Sequence, residues 1–320
     1  MSSQTRIVAV IGSTGHQGSG VVRALLSSTA FTVRAITRNP SSDTANALVE
    51  KYPEAVKDGK LEIVVGDLTD PKSVEEALEG VDGVFAAWGP SMTEREEGKA
   101  LVDLVKRLDI PHFIYSSLPS LDKASGGKFK NVQTFEAKAD IEKYAREVIP
   151  EKLSVIIPGA FFNSLERPSF ARRDSDDTAV FCFPASPKST WEWLQADYDI
   201  GVAAAAIFSA GPSRTTVSSG RSSYPLMGPG LTPAQLAAEY EAVTGEQAVA
   251  RPDDLEASLK PLPEAFAVQM REVFQYMDSA AGKRYYGAVD PAEEKNAEEL
   301  GIKVSTVRDF LERTGWRVPK

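Results

Sequence analysis

Residues 6–38 read RIVAVIGSTGHQGSGVVRALLSSTAFTVRAITR, and this stretch decides the fold. Residues 6–11 are rich in β-branched side chains, as in a buried parallel strand, and residues 20–26 carry apolar side chains at helical spacing. A second β-rich run follows at residues 31–37. The stretch therefore predicts a strand, a glycine-containing turn, a helix and a second strand, which together form one βαβ unit.

The turn between the first strand and the helix has the spacing G-x-x-G-x-x-G. Such glycines allow a tight turn, a close backbone approach to a pyrophosphate, and close packing of the helix on the strand. The helix N-terminus adds free N–H groups and a partial positive charge. A tight turn without a ligand is the alternative, which this strand, turn, helix and strand context disfavours. The predicted dinucleotide-binding residues of the turn are Gly12, Ser13, Thr14, Gly15, His16, Gln17 and Gly18.

Arg38 stands at the end of the second predicted strand, and no carboxylate follows until Asp43. An acidic residue at this position binds the ribose 2′-hydroxyl of NAD, whereas an arginine accommodates the 2′-phosphate of NADP. A guanidinium can donate two hydrogen bonds to a phosphate, which a carboxylate would repel. The sequence therefore predicts NADP(H) as the cofactor, with a solvated strand-end arginine as the alternative.

The ends of the third and fourth predicted strands supply further candidates for cofactor binding. Asp67 can accept a hydrogen bond from the adenine amino group while Leu68 covers the ring; alternatively, Asp67 belongs only to the turn before a helix that Asp70 caps. Ala87 leaves room for the cofactor beside the strand. Trp88 is expected either to pack on the ribose or nicotinamide or to fill the interface with a covering lobe.

Strands and helices alternate up to residue 158, which predicts an α/β fold, a Rossmann doubly wound parallel sheet. We expect an NADP-binding Rossmann domain at residues 1–158 and a smaller C-terminal substrate or partner lobe at residues 159–320. Segments at about 194–220 are expected to return to the sheet, including a strand at 214–219. Residues 120–130, 160–163 and 167–178 are predicted to be loops.

The composition limits the partners and the compartment. The net charge of −9 over 320 residues offers no electrostatic footprint for nucleic acid or an anionic membrane, so neither is expected as a partner. With one cysteine and two histidines we expect no metal site, and Cys182 is expected in the core. The sequence shows no secretory segment at its start and no apolar run long enough to span a membrane. We therefore expect a cytoplasmic protein, which is also nuclear if it is a regulator.

The helix predicted at residues 134–148 contains Lys138. Ordinary short-chain dehydrogenases place Tyr-x-x-x-Lys on this helix, where the lysine binds the nicotinamide ribose and lowers the pKa of the acidic tyrosine, so Lys138 is also a candidate for cofactor binding. Here Thr134 takes the place of the tyrosine, and its hydroxyl is too weak an acid to replace a phenol. A surface lysine paired with Glu142 at i+4 is the structural alternative for Lys138.

Six motifs of the chain together resemble those of a known family: GSTGHQG (12–18), TRNP (37–40), GDLTD (66–70), FIYSSL (113–118), FEAKADIEKY (135–144) and FLERTGWR (310–317). With these motifs the sequence resembles the NmrA-like family of atypical short-chain dehydrogenases. That family includes a nitrogen-metabolite repression regulator that binds dinucleotide, and NADP(H)-sensing relatives. The Phe-Glu-x-Lys-Ala segment also resembles isoflavone-reductase-type enzymes, in which the lysine acts as base or proton relay without a tyrosine, and this resemblance implies a catalytic role for Lys138.

Two functions follow as hypotheses. The first is an NADP(H)-dependent reductase of a small aromatic or conjugated substrate, with Lys138 as proton donor and Ser116 and Ser117 as either substrate-binding hydroxyls or turn formers. The second is a non-catalytic redox sensor, in which NADP(H) orders residues 122–130 or 164–178 and changes the contacts with a regulatory protein partner. A cavity beside the nicotinamide would favour the reductase. The aromatic candidates for its walls are Phe161 (also a cofactor-binding candidate), Phe162, Trp191 and Trp193.

Overall fold

The computed structural model describes residues 5–184, 186–212 and 222–320. The strands are β1 Arg6–Ile11, β2 Phe31–Thr37, β3 Leu61–Val65, β4 Gly83–Ala86, β5 Phe113–Ser116, β6 Leu153–Pro158, β7 Ala160–Phe161, β8 Ala171–Arg173, β9 Ala179–Phe181, β10 Trp191–Leu194, β11 Ser223–Leu226, β12 Gly230–Leu231 and β13 Ala248–Ala250. The α-helices are α1 His16–Leu26, α2 Asp43–Lys51, α3 Pro53–Lys57, α4 Pro71–Leu78, α5 Glu94–Arg107, α6 Leu121–Ser125, α7 Gln133–Val148, α8 Ala196–Ala210, α9 Pro233–Thr244, α10 Leu255–Leu259, α11 Glu264–Ser279, α12 Glu294–Glu299 and α13 Val307–Thr314.

Within the described residues the main sheet has seven strands in the order β11-β6-β5-β4-β1-β2-β3, and every neighbouring pair is parallel. The direction of winding reverses between β1 and β4, and ligands of doubly wound sheets bind at the carboxyl ends of the strands at this point. Val8 and Ala9 of β1 point to opposite faces, and both are buried. The predicted doubly wound fold is confirmed.

Helices cover both faces of the sheet, with α1 and α8 on one face and α4, α5 and α7 on the other. Two glycines let the first pair of helices approach closely. A Cβ on Gly20 would lie 2.4 Å from the carbonyl oxygen of Asp197, and one on Gly201 would lie 2.2 Å from that of Gly20. Both distances are too short for a carbon and an oxygen, so only glycine fits at either position.

The sheet is completed by residues far along the chain. Strand β11 pairs with β6 through Ser223 opposite Val155 and Leu226 opposite Pro158. The strand predicted at 214–219 lies outside the described residues. Helix α8, which lies within the segments expected to return to the sheet, packs on α1.

The loop predictions are wrong in part. Residues 120–130 contain α6, because the Ser120 hydroxyl accepts a hydrogen bond from the Lys123 N–H and Gly126, at φ 66°, ends the helix. Residues 160–163 contain β7, which pairs with β10, and residues 167–178 contain β8, which pairs with β9. The pairing of β7 with β10 joins residues far apart in the chain, which no local pattern predicts, whereas β8 and β9 form a local antiparallel hairpin around residues 174–178 that the loop prediction missed.

The C-terminal half encloses a cluster of aromatic side chains. Phe162 stacks on Trp193 with ring centroids 5.9 Å apart, and Phe170 meets Phe183 edge-on at 5.3 Å. Cys182 is buried next to this cluster, as predicted. One ring of this cluster, that of Phe170, also lines the cavity described below.

Candidate cofactor and substrate site

The three glycines of the turn between β1 and α1 differ in what they provide. Gly12 has φ 78°, and a Cβ there would lie 1.9 Å from the Ala87 carbonyl oxygen. A Cβ on Gly18 would lie 2.2 Å from the Gly12 carbonyl oxygen. The folded chain therefore requires both glycines even without a ligand. A Cβ on Gly15 would meet only the Gly12 carbonyl oxygen, at 3.4 Å, so the missing side chain of Gly15 leaves open space at the start of α1.

The other side chains of the turn have separate positions. Ser13 is buried, and its hydroxyl donates to the carbonyl oxygen of Ile36 at 2.9 Å, which holds the turn against β2. Thr14 is half-buried, and His16 is exposed as the first residue of α1. The Ser13 hydroxyl thus has a structural role, and the backbone N–H groups of the turn are left as its means of binding phosphate.

Arg38 and Asp67 lie near each other, beyond the ends of β2 and β3. Arg38 is exposed and makes no ion pair within the described part of the chain. The Asp67 carboxylate accepts hydrogen bonds from the N–H and hydroxyl of Thr69 at 2.9 and 2.8 Å. These bonds, together with the charge of Arg38, lower the pKa of Asp67. The structure therefore shows Asp67 in its role in the turn. Its hydrogen bond to adenine, and the covering of the adenine ring by the half-buried Leu68, stay predictions.

Ala87 and Trp88 leave β4 toward the glycine turn. Ala87 is buried and directs its carbonyl oxygen at Gly12. The Trp88 ring lies 5.8 Å from the Tyr115 ring and 5.5 Å from the Lys138 Nζ. Trp88 thus packs between β5 and α7, and both of its predicted roles, contact with the cofactor and filling of the interface with a covering lobe, stay predictions.

Lys138 makes an ion pair with a partner that the sequence did not reveal. Its Nζ donates to Glu94 Oε1 at 2.5 Å and to the Trp88 carbonyl oxygen at 3.3 Å. The side chains of Lys138 and Glu94 are 13% and 2% exposed. Burial raises the pKa of Glu94, although the Lys138 charge opposes the shift. The alternative prediction, a surface pair between Lys138 and Glu142, is wrong, because Glu142 instead pairs with Arg146 at 2.8 Å.

Two serines at the end of β5 connect the glycine turn to α7. The Ser116 hydroxyl donates to Gln17 Oε1 at 2.6 Å. The Ser117 hydroxyl donates to the Lys138 carbonyl oxygen at 3.3 Å. Gln17, Ser116, Ser117 and Lys138 all line one cavity, so the turn and the lysine border the same space.

This cavity has a volume of about 280 Å³ and lies between the carboxyl edge of the sheet and α11. Its wall from α11 consists of Met270, Val273 and Met277. Pockets for small ligands are mostly apolar with a few polar groups, and their usual volumes begin near this size. The aromatic residues lining the cavity are Phe135, Phe161, Phe170, Trp191 and Tyr286.

The predicted aromatic walls are half right. Phe161 and Trp191 line the cavity, whereas Phe162 and Trp193 stack on each other inside the aromatic cluster and do not border it. Trp191 and Trp193 are two residues apart on β10, so they share one face of the strand, and their rings stack with centroids 6.0 Å apart.

Tyr286 is a cavity residue that the sequence analysis missed. Its backbone has φ 59°, its hydroxyl donates to the Pro158 carbonyl oxygen at 3.0 Å, and its ring meets Phe135 edge-on at 6.0 Å. Burial raises the pKa of this hydroxyl. A tyrosine so placed closes the cavity between the sheet and the C-terminal half, and it is a poor acid near neutral pH.

Within the described ranges, no group of three or more His, Cys, Asp and Glu side chains is placed to hold a metal ion. The helices of those same residues include none that is both long enough and apolar enough to cross a membrane.

The parallel sheet, the glycine turn at its switch point and the adjoining cavity define a Rossmann-type fold of the dinucleotide-binding kind. Residues 4–311 match the NmrA-like family, and the chain belongs to this family.

Individual relatives agree with this assignment. The NmrA-like family domain-containing oxidoreductase hkm9 of Aspergillus hancockii is 36% identical over 154 residues, which are 46% of this chain and 43% of that protein. The chain spans about half the length of the curated relatives it matches first. Among solved structures, the negative transcriptional regulator NmrA in complex with NAD has a TM-score of 0.76 and 21% identity, covering 97% of this chain and 95% of NmrA. Citrobacter sp. triphenylmethane reductase complexed with NADP(H) has a TM-score of 0.67 and 18% identity, covering 96% and 99%.

Proposed function

We propose that this protein is an NADP(H)-dependent reductase of a small aromatic or conjugated substrate. The observation that carries the proposal is the aromatic-lined cavity of about 280 Å³ that borders both the glycine turn and Lys138. A plugged site would instead have favoured the sensor hypothesis. The oxidoreductase names of curated relatives support the same class of activity.

The residues present fit an NADP(H) molecule. The open space at Gly15 is a cradle that any Cβ would fill, and it lies at the N-terminus of α1, where N–H groups favour phosphate. Arg38 would hold the 2′-phosphate, because its guanidinium has no acidic partner within the described residues. Its proximity to Asp67 places a carboxylate nearby, so the preference for NADP over NAD is the net result of one attractive and one repulsive charge.

When bound, NADPH supplies a hydride. The chain's own residues then have three tasks. The rings of Phe161, Trp191 and Tyr286 orient a flat substrate, while Met270 and Met277 of α11 exclude water from it. Lys138, which borders the cavity, donates the proton that balances the hydride.

The test is substrate-dependent oxidation of NADPH by the purified protein. We would offer a cationic triphenylmethane dye, a quinone and an α,β-unsaturated ketone, with NADPH labelled with deuterium at the transferable position. The expected result is loss of NADPH absorbance and deuterium in the reduced product of at least one of them. The variant Val273→Trp fills the cavity from α11, and we expect it to bind NADPH normally by calorimetry but to lose turnover.

Tight NADPH binding without oxidation of any of the three compounds would contradict the reductase and favour the sensor. Turnover that survives in Val273→Trp would place the substrate outside the cavity.

A further inference from the structure

Glu94 is a buried carboxylate with an unusual partner. It lies in the first turn of α5, its side chain is 2% exposed, and its Oε1 is 2.5 Å from the Lys138 Nζ on α7. Removing two opposite charges from water is costly, and the attraction between them compensates only when the geometry is good. The pair therefore costs desolvation free energy at a place where the two helices already pack through apolar side chains.

The neighbouring acid on the same helix shows what a purely local role looks like. Glu97 is also buried, and its carboxylate accepts hydrogen bonds from the hydroxyls of Ser91 and Thr93, just before α5. Glu97 thus stabilises the loop that precedes its own helix. Glu94 instead reaches across to Lys138, the residue at the edge of the cavity.

Two of the three N–H donors of the Lys138 ammonium have partners within the protein. An ammonium has three N–H donors. One is bound by Glu94 and a second by the Trp88 carbonyl oxygen, while the Trp88 ring lies 5.5 Å from the nitrogen. Since Lys138 also lines the cavity, the third donor is the one available to a ligand there.

We propose that Glu94 is a positioning residue that holds the Lys138 ammonium through the buried ion pair and aims its third N–H into the cavity. The inference rests on the proposed reductase function. After hydride addition a quinone or an α,β-unsaturated ketone carries a negative charge, and this new electron pair takes the proton from the Lys138 Nζ, whereas a cationic dye is neutralised by the hydride itself and needs no proton. The broken N–H bond leaves its electrons on the nitrogen, and the neutral amine regains a proton from water. The buried negative charge of Glu94 stabilises the ammonium before the transfer and favours its return afterwards.

Other charged groups face this pair from each element around it. On α5 these are Arg95 and Glu97, and on α7 Glu142. Tyr115 of β5 is buried nearby, and burial keeps the pKa of its hydroxyl well above the ordinary value. The cavity side contributes Arg167, Glu192 and Lys283.

The test measures the charge state of Lys138 without any substrate or NADPH. Acetic anhydride modifies amines but not ammonium ions, and mass spectrometry of the acetylated peptide gives the extent of Lys138 labelling at each pH. An opposite charge within about 4–6 Å typically shifts a titration by about 1–3 pH units. In Glu94→Gln we therefore expect the labelling profile to move to lower pH by at least about one unit, with about tenfold more labelling on its rising part.

Matched variants separate this role from loosening of the fold. Glu97→Gln removes a buried charge from the same helix and should keep the wild-type profile. Glu94→Asp keeps the charge but shortens the side chain. We expect it to disturb the fold least and to give an intermediate labelling profile. An unchanged profile in Glu94→Gln and Glu94→Asp overturns the proposal, as does a uniform rise in labelling at all pH values. Because no turnover is needed, failure of the reductase assay and failure of this test are distinguishable.

Discussion

Replacing Lys138 by methionine tests the buried ion pair through stability. The side chain keeps its length and apolar stem, but Glu94, at 2% exposed, loses the cation 2.5 Å away. Breaking a buried pair by removing one partner typically costs about 3–5 kcal/mol. Lys138 is only 13% exposed, so solvent screens the pair weakly. We expect Lys138→Met to lose about 3 kcal/mol or more of unfolding free energy near neutral pH.

The loss should also depend on pH, with a definite sign. Burial already raises the pKa of Glu94 above its ordinary value of 4.5, and removal of Lys138 raises it further. A carboxyl with a raised folded-state pKa contributes stability that is present below its unfolded pKa and is lost as the pH rises through the folded value. The deficit of Lys138→Met relative to the wild type should therefore be small at acidic pH and grow toward neutral pH.

The assay is urea unfolding of the wild type, Lys138→Met and the double variant Lys138→Met/Glu94→Gln at several pH values. The double variant has no charge left to bury, so we expect it to be more stable than Lys138→Met at neutral pH and to lack the extra pH dependence. If Lys138→Met is as stable as the wild type, or if its deficit does not change with pH, the pair is not buried in the way described.

Three further predictions concern other sites. Arg38→Ala should weaken NADP binding about tenfold or more while changing NAD binding little, because it removes a charge-assisted contact of about 1.5–3 kcal/mol; equal losses in calorimetric titrations would refute the assignment. Gly15→Val should abolish the NADP-induced thermal shift with an unchanged circular dichroism spectrum, whereas Gly18→Val, whose Cβ would lie 2.2 Å from a carbonyl oxygen, should fail to fold. Burial lowers the pKa of His112 to about 4, so folding should lose up to about 3 kcal/mol as the pH falls from about 6.5 to 4, and His112→Asn should remove this component of acid unfolding.

The sequence was informative where structure is local. The strand, glycine turn and helix of residues 6–26 have a pattern that few other folds share, and the alternation of strands and helices predicted the parallel sheet. The same local reasoning found Lys138, because a motif surrounds it. The Asp70 cap of α4 was also correct, since Asp70 Oδ1 accepts a hydrogen bond from the Lys72 N–H at 3.2 Å.

Contacts between residues far apart in the chain could not be predicted from the sequence. Glu94 reads as an ordinary acid at a helix start, where acids are common, and only the packing of α5 on α7 brings it to Lys138. Tyr286 and α11 follow Lys138 by more than a hundred residues, with no motif to link them to the cavity they line. Strand β11 is short, and its pairing with β6 is what makes it a strand.

The return of α8 and β11 to the sheet bears on how the chain can be divided. A cut after residue 158 would leave the first piece with the buried face of α1 uncovered and with β6 as an open edge. The second piece would carry α8 with nothing to pack against its Gly201 surface. Neither piece holds a complete core, so the two should be insoluble when expressed alone and soluble when expressed together. The molecule is thus suited to a split reporter, in which reassembly of the sheet restores the cofactor turn.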